Sequence, residues 1–149
     1  MSTSINFVPL SPQLSTVQKP EPYQQFSSRE SVIQTTTGRT CKAVPYDNPL
    51  ILIYAPAYVE GADIDTGIIA VVLFLDQASN GLYTLASDRK SFSESEDAPD
   101  DDAPGFDRYV FFFDPKMKLY TYIGLFQCWN NDGNTLNPQH TYLWKIKGF

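Results

Sequence analysis

Ile68-Ile-Ala-Val-Val-Leu-Phe-Leu75 is the longest unbroken apolar run in the chain. It is far shorter than the about 20 residues a membrane-spanning helix needs. Most of its members are β-branched or aromatic, which favours a strand. Odd and even positions are equally apolar, so both faces of this strand must be covered. That predicts a central strand, lying for example between a second sheet and the N-terminal segment.

Runs of the same character lie on either side. Strands are expected over 31–37, 40–46, 49–60, 67–76, 81–87, 107–114, 118–129 and 141–148, each bounded by Gly, Pro, Asn or Asp. Tyr109-Val-Phe-Phe-Phe113 resembles the central run in being apolar on both faces. Thr141–Gly148 instead alternates, with Tyr142, Trp144 and Ile146 on one side and Leu143, Lys145 and Lys147 on the other. Asp114-Pro-Lys-Met-Lys118 reads as a short hairpin turn, and Asn80-Gly81 as a tight turn between the strands before and after it. Asp132-Gly133 sits in a longer, Asn-rich connection over 130–140. The expected fold class is all-β: an antiparallel, jelly-roll-like β-sandwich or a partly closed barrel.

Residues 1–30 differ. Pro9, Pro12, Pro20 and Pro22 enforce extended backbone, and Phe7, Val8, Leu10, Leu14, Tyr23 and Phe26 supply spaced apolar anchors. The segment reads as an extended N-terminal arm that drapes over a surface. Ser27-Ser-Arg-Glu30 matches a capping box, which would start a short helix near 28–34. Val32, Ile33, Thr35, Thr36 and Thr37 argue against that helix and for a strand. Residues 31–149 then form one all-β domain with an acidic loop at 88–107. A length of 149 residues suits a single domain of this kind.

The formal charge is −6, from 17 acids and 11 bases. Seven of the acids fall between Glu94 and Asp107 without a single base, so the rest of the chain is near neutral. A basic nucleic-acid-binding face is excluded as the main function. The N-terminus shows no secretory signal, which fits a cytoplasmic or particle-associated protein. Cys41 and Cys128 are too few for a disulfide scaffold and read as buried thiols.

Catalytic furniture is sparse. His140 is the one histidine, so zinc sites built on several His are excluded, and no Gly-x-Ser-x-Gly elbow accompanies it. Cys128 and His140 flank the 130–140 connection, so a hairpin could bring them together as a thiol–imidazole pair. Glu30, Glu60, Asp76, Asp88 and Asp114 are available carboxylates, but sequence spacing brings no pair of them together for acid–base work. An enzyme, as a carboxylate-based hydrolase or isomerase, is therefore the least favoured reading.

For a metal, Ca2+ is the candidate. Asp63 and Asp65 in Gly61–Gly67 could converge on it, as could Asp100, Asp101 and Asp102 in the acidic loop or the Asn/Asp set at 130–134. None matches the full calcium-loop pattern. Aromatics are in excess, with 9 Tyr, 10 Phe and 2 Trp, beyond what one core face takes. Trp129, Tyr142 and Trp144 are the candidate binding rings.

Two functions fit these features. The favoured one is a non-enzymatic structural or assembly module, such as a viral capsid-type or other multimeric particle subunit. It would form a homo-oligomer, or dock on a partner, through its arm and aromatic faces. The alternative is a carbohydrate-binding, lectin-like β-sandwich, with or without a cation. Direct nucleic-acid contact and a membrane span are not expected.

Overall fold

The computed structural model describes residues 18–37, 44, 46–54, 68–76, 81–98, 106–129 and 141–149. The chain is all-β, with one helix among these residues. In order the elements are β1 (Gln25–Phe26), α1 (Arg29–Thr37), β2 (Leu50–Tyr54), β3 (Ile68–Leu75), β4 (Tyr83–Leu85), β5 (Ser91–Ser95), β6 (Arg108–Asp114), β7 (Leu119–Cys128) and β8 (Thr141–Gly148). They form one eight-stranded sheet, not closed into a barrel, in the order β2-β3-β6-β7-β8-β5-β4, with β1 added to β7. All neighbours are antiparallel except β3 and β6, which run parallel with Val71 opposite Arg108 and Leu75 opposite Phe112.

β3 is the central strand its composition predicts. Val71, Val72 and Leu73 are wholly buried, and alternate residues feed two separate cores. Val72 and Phe74 join Phe111, Tyr120 and Tyr122 on one face, where Val32 and Ile33 of α1 and Phe26 of β1 cover them. Leu73 and Leu75 join Val110, Phe112, Phe126 and Trp144 on the other face. A helix therefore covers one side, and the sheet itself covers the other. β5 and β6 are separated by β7 and β8, so in a flat sheet they would stand about 14 Å apart. Yet Arg108 of β6 reaches Glu94 of β5 at 2.7 Å. The sheet must coil until its far strands face its near ones, which makes it sandwich-like without a second sheet.

Four expectations need correction. The strand expected over 31–37 is helix α1. Ser28 caps it: Ser28 Oγ accepts the Ser31 amide at 3.0 Å, and Ser31 Oγ accepts the Ser28 amide at 3.3 Å. The box thus lies one residue later than Ser27–Glu30, with Ser in place of Glu. Burial of Val32, Ile33 and Thr36 on one face then outweighs their β-branching, and Thr36 Oγ1 donates back to the Val32 carbonyl at 2.8 Å. The acidic stretch at 88–107 is not all loop, because it contains β5, with Phe92 and Glu94 buried. Asn80-Gly81 does not join a hairpin of its flanking strands: β3 pairs with β2 and β6, and β4 pairs with β5 across the turn at 86–90. The arm is anchored from residue 18, where the Gln18 amide donates to the Thr36 carbonyl. The strand expected over 40–46 falls outside the described residues except for Val44 and Tyr46, neither of which lies in a strand.

Tyr122 is fully buried, yet its hydroxyl has no hydrogen-bond partner among the described residues. Burial, and then the neighbouring Tyr109, push its ionisation well above the ordinary phenol range. A buried orphan hydroxyl costs stability. Tyr122→Phe should therefore raise the unfolding free energy by about 1–2 kcal/mol. Urea unfolding tests this, and a clear loss of stability would show that the hydroxyl is bonded after all.

Candidate functional site

Of the rings singled out from sequence, only Trp129 is at the surface, 59% exposed. Lys145 Nζ lies 3.9 Å from its ring centroid and so occupies one of its faces. Tyr142 is half-buried against the core. Trp144 is 4% exposed, stacked on Phe92 with the planes 3° apart, so it belongs to the interior and not to a binding face. The three do not make a shared platform. Asp63, Asp65, Asp100, Asp101 and Asp102 lie outside the described residues, as do His140, Cys41 and Glu60. Among the described residues no group of three or more His, Cys, Asp or Glu is placed to hold a metal. Cys128 is half-buried beside the core.

The most polar feature of the interior has no local signature in the sequence. Glu94 Oε2 accepts from Arg108 Nη1 at 2.7 Å, and Glu94 Oε1 accepts from Trp144 Nε1 at 3.2 Å. The Arg108 guanidinium also sits 3.9 Å from the Trp144 ring centroid. Glu94, Arg108 and Trp144 come from three strands and are all buried. Full burial suits a structural ion pair and leaves no room for a substrate.

An open cleft of about 470 Å³ lies where β3 and β6 end together, beside the first turn of α1. That volume falls within the range of small-ligand pockets. Phe74 and Tyr120 are buried lining residues, while Asp76, Pro115 and Lys118 are exposed on its rim. Asp114 shapes the hairpin that carries Lys118, accepting the Lys116 amide at 2.9 Å while the Lys118 amide donates to the Asp114 carbonyl at 2.7 Å. Lys118 itself is in the left-handed region, at φ 56°.

Arg29 forms one wall. Its guanidinium lies between two rings, 4.8 Å from the centroid of Tyr46 and 4.7 Å from that of Phe74, and Nη1 donates to the Asn48 carbonyl at 2.7 Å. Glu30 holds the neighbouring segment in place: its carboxylate accepts the Val44 amide at 2.7 Å and the Tyr46 hydroxyl at 2.8 Å. Those bonds, the Val44 amide first, hold Glu30 below the usual carboxylate range. A second hollow of about 340 Å³ opens on the other side of Asp76, between Tyr83–Ser87 and Phe112, with Arg89 stacked 4.2 Å from the Phe112 ring centroid.

Sequence reasoning named Asp76 and Asp114 only as spare carboxylates and missed this cleft. Its residues come from positions 27 to 120, and only the pairing of β3 with β6 and the docking of α1 bring them together. Comparison with protein-family models, with curated proteins and with solved structures finds no match.

Proposed function

We propose that this chain is a non-enzymatic structural or assembly module, a subunit that joins copies of itself through its N-terminal segment. The observation that carries the reading is how residues 18–26 are held. β8 pairs with β7 only from Leu125 to Cys128. The other half of β7 would present an open ladder, and β1 fills it, with Gln25 opposite Thr121 and Phe26 opposite Tyr120. The Tyr23 amide donates to the Tyr122 carbonyl at 3.1 Å, and the Tyr122 amide to the Gln24 carbonyl at 2.9 Å. The Tyr23 ring meets Phe149 at 5.0 Å between centroids, and Lys19 Nζ donates to the Phe149 carbonyl at 3.2 Å.

Main-chain ladder bonds do not depend on sequence, so an open stretch of strand accepts whichever copy of the segment reaches it. Exchange of such a short strand between neighbours is a low-cost route to an oligomer. Carbohydrate binding, the alternative, keeps Trp129 exposed among the rings named for it, with Lys145 over one of its faces.

Sedimentation across a concentration series tests the assembly reading. The full chain should form a closed oligomer. A variant lacking residues 1–26 loses β1, so it should sediment as a monomer while keeping a β-rich circular dichroism spectrum, with a melting temperature lowered by the loss of buried Phe26. A full chain that stays monomeric, or an oligomer indifferent to the deletion, would overturn the proposal.

A further inference from the structure

We infer that the cleft beside the first turn of α1 binds an organic monoanion, a carboxylate with an apolar body. The cleft offers more positive charge than negative. Its lining carries Arg29 and Lys118 against the single carboxylate of Asp76, an excess of one positive charge. The Lys118 ammonium is exposed and has no hydrogen-bond or ion-pair partner among the described residues. Tyr120 is 5% exposed, and its hydroxyl has no hydrogen-bond partner among the described residues either. The Tyr120 ring is buried while its hydroxyl opens to the cleft, where it can donate to an anion in place of water. Ser27 adds a second hydroxyl at the rim.

The remaining walls decide the body of the ligand. Phe74, Leu75, Phe113 and Pro115 present apolar surface, which favours an aliphatic or aromatic chain over a bare inorganic ion. A cationic ligand is disfavoured because the aromatic pair Tyr46 and Phe74 already holds the guanidinium of Arg29. A polyanion is disfavoured because Asp76 stands on the rim. The positive end of α1 adds to the preference for one negative charge, since Ser27 and Arg29 at its start both line the cleft.

Titration calorimetry on the full chain with octanoate, octanol and octylammonium tests this. Octanoate should bind at one saturable site. Octanol, with the same body and no charge, should bind about tenfold more weakly or worse, because charge-assisted hydrogen bonds are the strong ones. Tyr120→Phe keeps the ring, and Lys118→Asn suits the left-handed backbone. Each should weaken octanoate several-fold, leave octanol unchanged and leave the melting temperature unchanged. Octanol or octylammonium binding as tightly as octanoate would overturn the inference. So would octanoate affinity unmoved by both substitutions, or no saturable octanoate binding up to about 1 mM.

Discussion

Glu94→Leu should destabilise the protein by about 3–5 kcal/mol, because it strands a buried cation. Arg108 is fully buried, and its Nε has no hydrogen-bond partner among the described residues. Without Glu94 its Nη1 loses a 2.7 Å bond and Trp144 Nε1 loses its 3.2 Å acceptor. The contact of the guanidinium with the Trp144 face offsets part of this, by about 2 kcal/mol at most. A charge in that position cannot turn to solvent, since the coiled sheet closes over it.

The same reasoning makes the double variant Glu94→Leu/Arg108→Met informative. Removing both charges leaves an apolar interior of similar volume, and such replacements are often neutral or stabilising by about 1–4 kcal/mol. Urea unfolding of the parent, both single variants and the double variant closes a thermodynamic cycle. A large coupling between the two positions is expected. A Glu94→Leu cost under about 1 kcal/mol would mean that Arg108 is hydrated and that the coil is more open than described.

The residues of this pair show what the sequence could and could not reveal. The apolar strands were legible: Ile68–Leu75, Tyr109–Phe113 and the alternating Thr141–Gly148 all form strands, because long apolar or alternating runs bury the same way in many contexts. β5 was not legible, because Ser91-Phe-Ser-Glu-Ser95 reads as part of an acidic loop. It becomes a strand because Phe92 and Glu94 point inward, the latter only because Arg108 meets it. No local rule connects those two positions. Helix α1 was half legible, since its serine cap competes with a β-branched stretch and tertiary burial decides between them. Parallel pairing of β3 with β6 was hidden for another reason. Asn80-Gly81 is a strong local turn signal, but hydrogen bonding to β5 claims β4 instead. The cleft inherits that blindness, since Arg29, Phe74, Lys118 and Tyr120 meet only after α1 docks and β3 finds β6.

Gly124→Ala should cost about 3 kcal/mol, combining overpacking with backbone strain of about 1–3 kcal/mol each. Gly124 has φ 137°, a region that side chains rarely adopt. A Cβ there would lie 2.6 Å from Ile146 Cδ1 and 3.1 Å from the Gly148 carbonyl oxygen. The position also has a job in the fold. The register of β7 against β6 shifts between Val110 and Phe111, which face Gly124 and Tyr122, and its register against β8 shifts just beyond, at Leu125 and Phe126. β7 therefore carries an extra residue, Ile123, beside the glycine, and β8 carries one, Lys147, just beyond; bulges bend a strand and sharpen its twist. This bend lies on the strand that links β6 to β8 and so to β5. A bend there adds to the curvature that Arg108 needs to reach Glu94. Gly124→Ala/Ile146→Val should recover only a fraction of the overpacking, because valine keeps the γ carbon that lies 2.9 Å from the added Cβ, and neither the dihedral nor the Gly148 carbonyl moves with the side chain. Full recovery in the double variant would show that crowding alone made glycine necessary, and the bend would then have to be attributed elsewhere. If the glycine sets the coil, Gly124→Ala should also shrink the measured coupling between Glu94 and Arg108, since a flatter sheet pulls the two apart.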